Sequence, residues 1–116
     1  RTEVMYGPGG YAYVYLCYGI HHLLNVVTGA AGEPQAALIR GAQGHPGPGR
    51  LTKALGIDLT CNRSALSELS GLWLESGEPP SRLATAPRVG LGDATPADQA
   101  LPWRFLASPY SGSYSA

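Results

Sequence analysis

The sequence predicts a mostly β (α+β) single domain, a curved antiparallel sheet or open barrel with one or two short helices. Its 116 residues suit one small domain. Short runs rich in aromatic and β-branched residues are separated by turns rich in glycine and proline. We expect the domain to cover residues 1–110 and residues 111–116 to form a disordered tail.

The clearest strand is Tyr11 to Tyr18, which follows a turn at Gly7 to Gly10. A period of two places Tyr11, Tyr13, Tyr15 and Cys17 on one face and Ala12, Val14 and Leu16 on the other. Further strands are predicted at His21 to Thr28 and Ala36 to Arg40. The short connections between these three runs indicate an antiparallel meander.

The remaining elements are predicted to be short. Residues 41–49 are rich in glycine and proline and predict a loop, and Arg50 to Leu55 predict a helix that stops at Gly56. Ser64 to Leu69 predict a further helical turn. The last three predicted strands are Leu72 to Leu74, Arg88 to Leu91 and Trp103 to Leu106.

Composition excludes several classes of function. No apolar run reaches the roughly 18 residues that a membrane span needs, so we expect no membrane partner. His21 and His22 point to opposite strand faces and His45 has no partner at ligand spacing, so we expect no metal and no cofactor. Net charge is zero, which is unusual for a DNA-binding domain. Residues 1–63 nevertheless carry five cations against three acids, a local excess of +2.

Four polar or aromatic positions near the predicted meander could carry chemistry. Tyr15 could form one wall of a slot for a planar base, or the tyrosine face could be packed in the core. Tyr18, beside Gly19 at the strand end, could insert into a partner or rest half-buried against a neighbour. Asn25 in an apolar strand needs hydrogen-bond partners, either in a neighbouring turn or in a polar pocket. Arg40 ends an apolar run and could face a carboxylate, a phosphate or solvent.

The segment from Gly47 to Lys53 combines a glycine turn with two cations, Arg50 and Lys53, at a predicted helix start. A helix start with nearby cations favours an anion such as a backbone phosphate. The segment does not match the nucleotide-binding pattern of P-loop proteins.

Several motifs in one order resemble the methylpurine (alkyladenine, 3-methyladenine) DNA glycosylase family. Tyr13-Val-Tyr15-Leu-Cys-Tyr18-Gly19 is followed by Asn25 and by Leu38-Ile-Arg40-Gly-Ala42. Later stretches agree in order, and they are Gly47 to Ile57, Trp73 to Glu75, Pro87 to Gly92, Trp103 to Phe105, and Ser108-Pro109. Members of the family are monofunctional base-excision repair enzymes, which implies flipping and hydrolytic removal of alkylated purines from duplex DNA.

The resemblance implies a role for each matching residue. Tyr15 matches the tyrosine that stacks on the flipped base, and Asn25 matches the pocket asparagine that crowds the 2-amino group of guanine. Tyr18 matches the tyrosine that enters the duplex, with Gly19 beside it. Arg40 matches the arginine near the catalytic water and the phosphate of the flipped nucleotide. We expect Arg50 and Lys53 to contact DNA phosphates.

Two departures from the family pattern bear on activity. The family's glutamate base, with a further pocket tyrosine and histidine, lies upstream of Arg1, so we expect the general base to be missing and the chain alone to be inactive. The stretch between Gly41 and Gly47 is shorter than the family's loop. A catalytically inactive relative that only binds DNA is the alternative, and a β-rich structural domain with no ligand is a more remote one. We expect a monomer that binds double-stranded DNA containing alkylated purines, cytoplasmic and nucleoid-associated if bacterial and nuclear if eukaryotic.

Overall fold

A computed structural model describes residues 2–89 and 96–108 of the chain. It confirms the predicted mostly β class, because the strands of this part form three antiparallel sheets and are accompanied by short helices. The predicted tail at 111–116 and the domain boundary at 110 lie outside the described residues.

The first sheet contains the predicted meander. Strands β1 (Ala12–Cys17), β2 (His21–Val27) and β3 (Ala36–Leu38) lie in the order β1-β2-β3 with antiparallel pairing throughout. Its register places Asn25 opposite Tyr13 on one side and opposite Leu38 on the other. The third strand ends before the predicted Arg40, although the Ile39 amide still donates to the Leu24 carbonyl at 2.9 Å. Arg40 therefore follows the strand instead of ending it.

The predicted loop over residues 41–49 contains regular structure. Strands β4 (Gly41–Ala42) and β5 (His45–Pro46) form a two-stranded hairpin. Helix α1 (Pro48–Leu55) begins two residues before the predicted start, because proline in the first helical turn needs no amide partner. Its end at Gly56 is confirmed, since Gly56 has a left-handed φ of 69° and the next amide, that of Ile57, donates to the Thr52 carbonyl at 2.9 Å.

The second half of the chain differs more from the prediction. Strand β6 (Arg82–Ala86), which was not predicted, pairs with β7 (Arg104–Ser108), and β7 starts one residue after the predicted Trp103. The predicted strand Leu72 to Leu74 is wrong, since only Leu72 makes a single bridge, to Ser67. Of the predicted strand Arg88 to Leu91, residues 88 and 89 are not in a strand and the others lie outside the described residues.

Short helices complete the described structure. Of the predicted helical turn at Ser64 to Leu69, only the last two residues are helical, in a 3-10 helix at Glu68–Ser70. Two further 3-10 helices, Thr2–Tyr6 and Leu59–Cys61, and helix α2 (Pro96–Ala100) were not predicted. Within these described ranges, no helix is long and apolar enough to cross a membrane.

A small apolar core lies on one face of the first sheet. Ala12, Val14, Leu24 and Ile57 form its buried cluster. Ala12 and Val14 belong to the same predicted face of β1, whereas Leu16, the third member of that face, is 40% exposed at the strand end. Tyr13 on the opposite face is also buried, so the beginning of β1 is covered on both sides.

Replacement of Leu24 by alanine tests this core. Leu24 is 6% exposed and belongs to the buried cluster. We expect Leu24→Ala to lower the free energy of unfolding by about 2–5 kcal/mol, because the missing side chain leaves a cavity. Urea denaturation measures the loss. Leu83→Ala is the matched control, since Leu83 is 61% exposed on β6 and should change stability by no more than about 0.5 kcal/mol. Equal losses for the two variants would contradict the assigned core.

Candidate functional site

A cavity of about 890 Å³ lies between the β1–β2–β3 sheet and the β6–β7 sheet. This volume is in the range of small-molecule sites, roughly 300–1,000 Å³. The aromatic, amide and cationic residues on its wall are Tyr15, Asn25, Arg40, Arg88, Trp103 and Arg104. Three residues predicted from the sequence, Tyr15, Asn25 and Arg40, are therefore brought together at one site.

The tyrosine face of β1 divides between core and cavity. Tyr13 is 4% exposed, whereas Tyr15 is half-buried and lines the cavity. Their ring centroids are 5.3 Å apart with planes inclined by 39°, so the buried ring packs against the cavity ring. The sequence left open whether the tyrosine face forms the wall of a slot or is packed in the core, and neither interpretation holds for both tyrosines. Tyr13 is packed, and Tyr15 presents an aromatic surface to the cavity.

Asn25 is anchored to the neighbouring strand while it lines the cavity. Its side chain is buried, and Nδ2 donates to the Tyr13 carbonyl oxygen at 3.3 Å. This bond is slightly longer than the usual range, but it gives the buried amide group one hydrogen-bond partner. The Tyr13 ring packs against the Tyr15 ring, so Tyr13 contacts both Asn25 and the tyrosine that lines the cavity.

Arg40 brings a positive charge to the wall that contains Tyr15. Burial lowers the pKa of Arg40, the positive charge of Arg104 lowers it further, and Tyr15 opposes both effects. Arg104 and Tyr15 line the same cavity as Arg40. An arginine side chain remains protonated in such surroundings, so the cavity wall is cationic here.

Tyr18 projects from the turn between β1 and β2 and does not line the cavity. Its side chain is 92% exposed, so the interpretation as a half-buried aromatic is wrong. Tyr18 and Gly19 have φ values of 53° and 67°, and the Ile20 amide donates to the Cys17 carbonyl at 3.1 Å. Consecutive positive φ values are typical of tight hairpin turns, but a tyrosine there is strained by roughly 1–2 kcal/mol.

Arg50 and Lys53 lie on α1, outside the cavity, and both are exposed. The helix is fixed to β2 because the buried Thr52 hydroxyl donates to the His22 carbonyl at 2.7 Å. Ile20 and Lys53 line a second cavity, of about 150 Å³. This arrangement places Lys53 close to the turn that carries Tyr18.

The sequence analysis assigned no role to the residues that line the 890 Å³ cavity on its β6–β7 side. The Arg88 guanidinium carbon lies 4.9 Å from the centre of the Trp103 ring. Arg104 Nε donates to the Pro87 carbonyl oxygen at 2.9 Å. One signal was available, since Arg88 and Arg104 are two of only three cations after residue 64 and both lie close to short apolar runs.

Comparison with known proteins covers almost the whole chain. The family model described as methylpurine-DNA glycosylase matches residues 1–46 and 43–110, and the two matches meet in the β4–β5 hairpin. Three bacterial relatives carry the name "Putative 3-methyladenine DNA glycosylase". The protein of Nitrosococcus oceani is 41% identical over 94% of this chain and 63% of its own length.

The relative from Myxococcus xanthus is 47% identical over 78% of this chain and 52% of its own length. The relative from Chlamydia pneumoniae is 38% identical over 94% of this chain and 65% of its own length. The chain thus spans between about half and two thirds of the length of these relatives. The order of motifs noted in the sequence is that of one family, and the chain belongs to the methylpurine-DNA glycosylase family.

Proposed function

We propose that the chain forms the base pocket and DNA-binding surface of a monofunctional glycosylase that removes alkylated purines, of the 3-methyladenine and 7-methylguanine type, from duplex DNA. One observation carries this proposal. The β1–β2 hairpin holds one tyrosine in the wall of a cavity and another, three residues later, 92% exposed at its tip. A base-flipping protein needs both features, a slot for the extruded base and a group that enters the duplex.

The two tyrosines have complementary energetic roles. Extruding a base from the duplex costs a few kcal/mol in lost stacking and pairing. Tyr18 offsets part of this cost when its ring enters the gap, and Tyr15 offsets part when it stacks on the extruded base, with stacking worth about 1–3 kcal/mol per base. Alkylated purines linked to the sugar are cationic, and an aromatic face attracts a cation by roughly 0.5–2 kcal/mol.

Asn25 and Arg40 define the remaining chemistry of the pocket. The Asn25 amide, held by the Tyr13 carbonyl, crowds the 2-amino group of guanine and so disfavours guanine-type bases relative to adenine-type ones. Arg40 orients the attacking water and the phosphate of the flipped nucleotide. In the reaction, the water oxygen bonds to the sugar C1′, the bond from C1′ to the base nitrogen breaks, and the base leaves with the electron pair. A carboxylate accepts the proton of the water.

The described part of the cavity wall contains no such carboxylate. No Asp or Glu is among the described residues that line it, and the acids whose side chains the structure describes are all exposed. They are Glu3, Glu33, Asp58, Glu68, Glu75 and Glu78. Glu3 pairs with Arg63 at 3.3 Å, and Glu75 accepts a bond from Trp73 at 2.9 Å. We therefore propose that the chain alone binds lesions without excising them. The absence of a carboxylate from the described cavity wall also favours the second candidate function, DNA binding without catalysis.

Replacing the strained, exposed tyrosine should separate stability from binding. We expect Tyr18→Gly to leave the free energy of unfolding unchanged or to raise it by up to about 1 kcal/mol, since glycine adopts positive φ freely. The substitution should reduce affinity for a duplex with an abasic-site analogue about 10-fold or more beyond any loss of affinity for undamaged duplex. Fluorescence anisotropy measures both affinities. Leu69→Gly, at a residue that is 100% exposed, is the control and should leave both affinities unchanged. An equal loss on both duplexes would assign Tyr18 to general surface contact.

Single-turnover excision tests whether the chain alone supplies a general base. The chain should release no 7-methylguanine from duplex DNA above the spontaneous rate, because a general base contributes about 10²- to 10⁴-fold. A chimera that adds the residues of the Nitrosococcus oceani relative that lie outside the match is expected to release the base. Robust turnover by the chain alone would require one of its own carboxylates to act. A chimera that binds lesions but releases no base would favour DNA binding without catalysis.

Asn25→Ser in the same chimera tests the pocket amide. Removing the crowding group should make guanine-type bases better substrates, and discrimination against them should fall by roughly 1–3 kcal/mol, about 5- to 150-fold. The measurement is the ratio of excision rates for guanine-type and adenine-type lesions. Loss of the bond to Tyr13 should also cost about 1 kcal/mol of stability, and urea denaturation reports this separately. An unchanged ratio would leave Asn25 a structural amide only.

A further inference from the structure

The indole of Trp103 lies on the wall of the 890 Å³ cavity with a cation against its face. Trp103 immediately precedes β7, and Arg88 lies two residues after β6. The Arg88 guanidinium carbon is 4.9 Å from the centre of the Trp103 ring, within the roughly 6 Å over which an aromatic ring attracts a cation. The β6–β7 side of the cavity therefore has a ring whose face accepts a planar, positively charged group.

The Trp103 ring is accessible to a ligand in this cavity. Trp103 is 58% exposed, in contrast to the packed Tyr13 on β1. Arg88 lines the same cavity, so the side chain that covers the ring face is itself within reach of a ligand there. A cation–π contact at an exposed site is weak, and a second cation can therefore compete for the ring.

The chemistry of alkylated purines matches that of the group now on the ring. Stacking alone does not distinguish an alkylated purine from an ordinary one, because every base has a π-face. Alkylation of a ring nitrogen in a nucleoside adds a positive charge that is spread over a planar ring, as the charge of a guanidinium is spread over its plane. Tryptophan attracts such a cation more strongly than tyrosine or phenylalanine does. Trp103 can therefore add discrimination by charge to the stacking that Tyr15 offers to any base.

We propose that the cationic base of an alkylated nucleotide replaces the Arg88 guanidinium on the Trp103 ring. Exchange suits this wall better than addition, because a base bound beside the guanidinium would bring two positive charges together, whereas exchange keeps their number at the ring constant. A neutral purine lacks the attraction between cation and ring and competes poorly with Arg88. Trp103 is thus a residue that selects alkylated purines by charge, an assignment that rests on the proposed function.

Binding of two matched nucleosides to the full chain tests the selection by charge. 7-Methylguanosine and guanosine share the 2-amino group, so any effect of Asn25 cancels in the ratio of their affinities. At mildly acidic pH the methylated base stays cationic, and the wild-type chain should bind it about 2- to 30-fold more tightly than guanosine. Trp103→Leu should abolish this preference. Trp103→Phe should keep part of it, because the phenyl ring attracts a cation less strongly than indole does. Isothermal titration calorimetry measures the affinities.

The second of the chain's two tryptophans, Trp73, supplies the matched control. Trp73 is 42% exposed and is not among the described residues that line the cavity. Trp73→Leu should leave the preference for 7-methylguanosine unchanged. In Trp73→Phe, Trp103 is the one remaining tryptophan, so its fluorescence reports on its own ring and should be quenched when 7-methylguanosine binds. Calorimetric binding of 7-methylguanosine without this quenching would overturn the assignment.

Arg88→Gln tests the exchange of one cation for another. Removing the competing guanidinium should raise affinity for 7-methylguanosine about 2- to 5-fold, the strength of a cation–π contact at an exposed site. Arg82→Gln is the matched control, since Arg82 is an exposed arginine of β6 that is not among the described residues of the cavity wall, and it should leave the affinity unchanged. A lower affinity for 7-methylguanosine in Arg88→Gln would overturn the exchange.

Equal weakening of both nucleosides in Trp103→Leu would overturn the assignment, as would a wild-type chain that does not prefer 7-methylguanosine. The proposed function fails differently, by absence of any preference for lesion or abasic DNA over undamaged duplex. A preference for the cationic nucleoside that depends on Trp103 but comes without lesion preference in DNA would support this site and count against the proposed function.

Discussion

The register of β1 against β2 determines which side chains reach the core and which reach the cavity. In this register Ala12 and Val14 face the apolar cluster, while Tyr13 and Tyr15 face the other way. A slip by one residue would exchange the two sets, moving the tyrosines into the core and aliphatic groups into the cavity. The pairing therefore has to be fixed at several points.

Two features outside the β1–β2 ladder fix it. The turn at Tyr18 and Gly19 closes one end with positive φ at both residues. The free edge of β1 is covered by a later segment, where Asn62 Oδ1 accepts a bond from the Val14 amide at 2.9 Å and the Ala12 amide donates to the Ser64 carbonyl at 2.9 Å. Covering an edge in this way also blocks pairing with another chain. The strain at Tyr18 is tolerated because the rest of the hairpin is over-determined.

The first sheet could be predicted from the sequence because its information is local. Alternation along β1, the short connections and the glycine that ends α1 are all readable within a few residues. Strand β6 could not be predicted in this way. Its residues, from Arg82 to Ala86, are small or exposed and show no alternation, and they pair with partners more than fifteen residues away, up to Ser108. Whether such a segment forms a strand depends on its contacts with residues distant in the sequence.

The same limit applies to the candidate site. Each of Tyr15, Asn25 and Arg40 had two or more interpretations from its own surroundings, and only the resemblance to a family joined them. All three line one cavity, because β2 and β3 bring Asn25 and Arg40 next to β1. Arg88 and Arg104 were missed because their approach depends on the β6–β7 pairing, which the sequence did not reveal.

Net charge is a poor guide to what this chain binds, and the distribution of charges explains why. Acids and bases balance over the whole sequence, yet three arginines lie on the cavity wall while the described carboxylates are exposed and absent from that wall. At physiological ionic strength, exposed charges are screened over about 8 Å, so acids elsewhere on the surface weaken the field in the cavity very little. Partly buried cations are screened less than exposed ones. A neutral chain can therefore have a cavity whose described wall carries cations, so zero net charge alone does not count against an anionic ligand there.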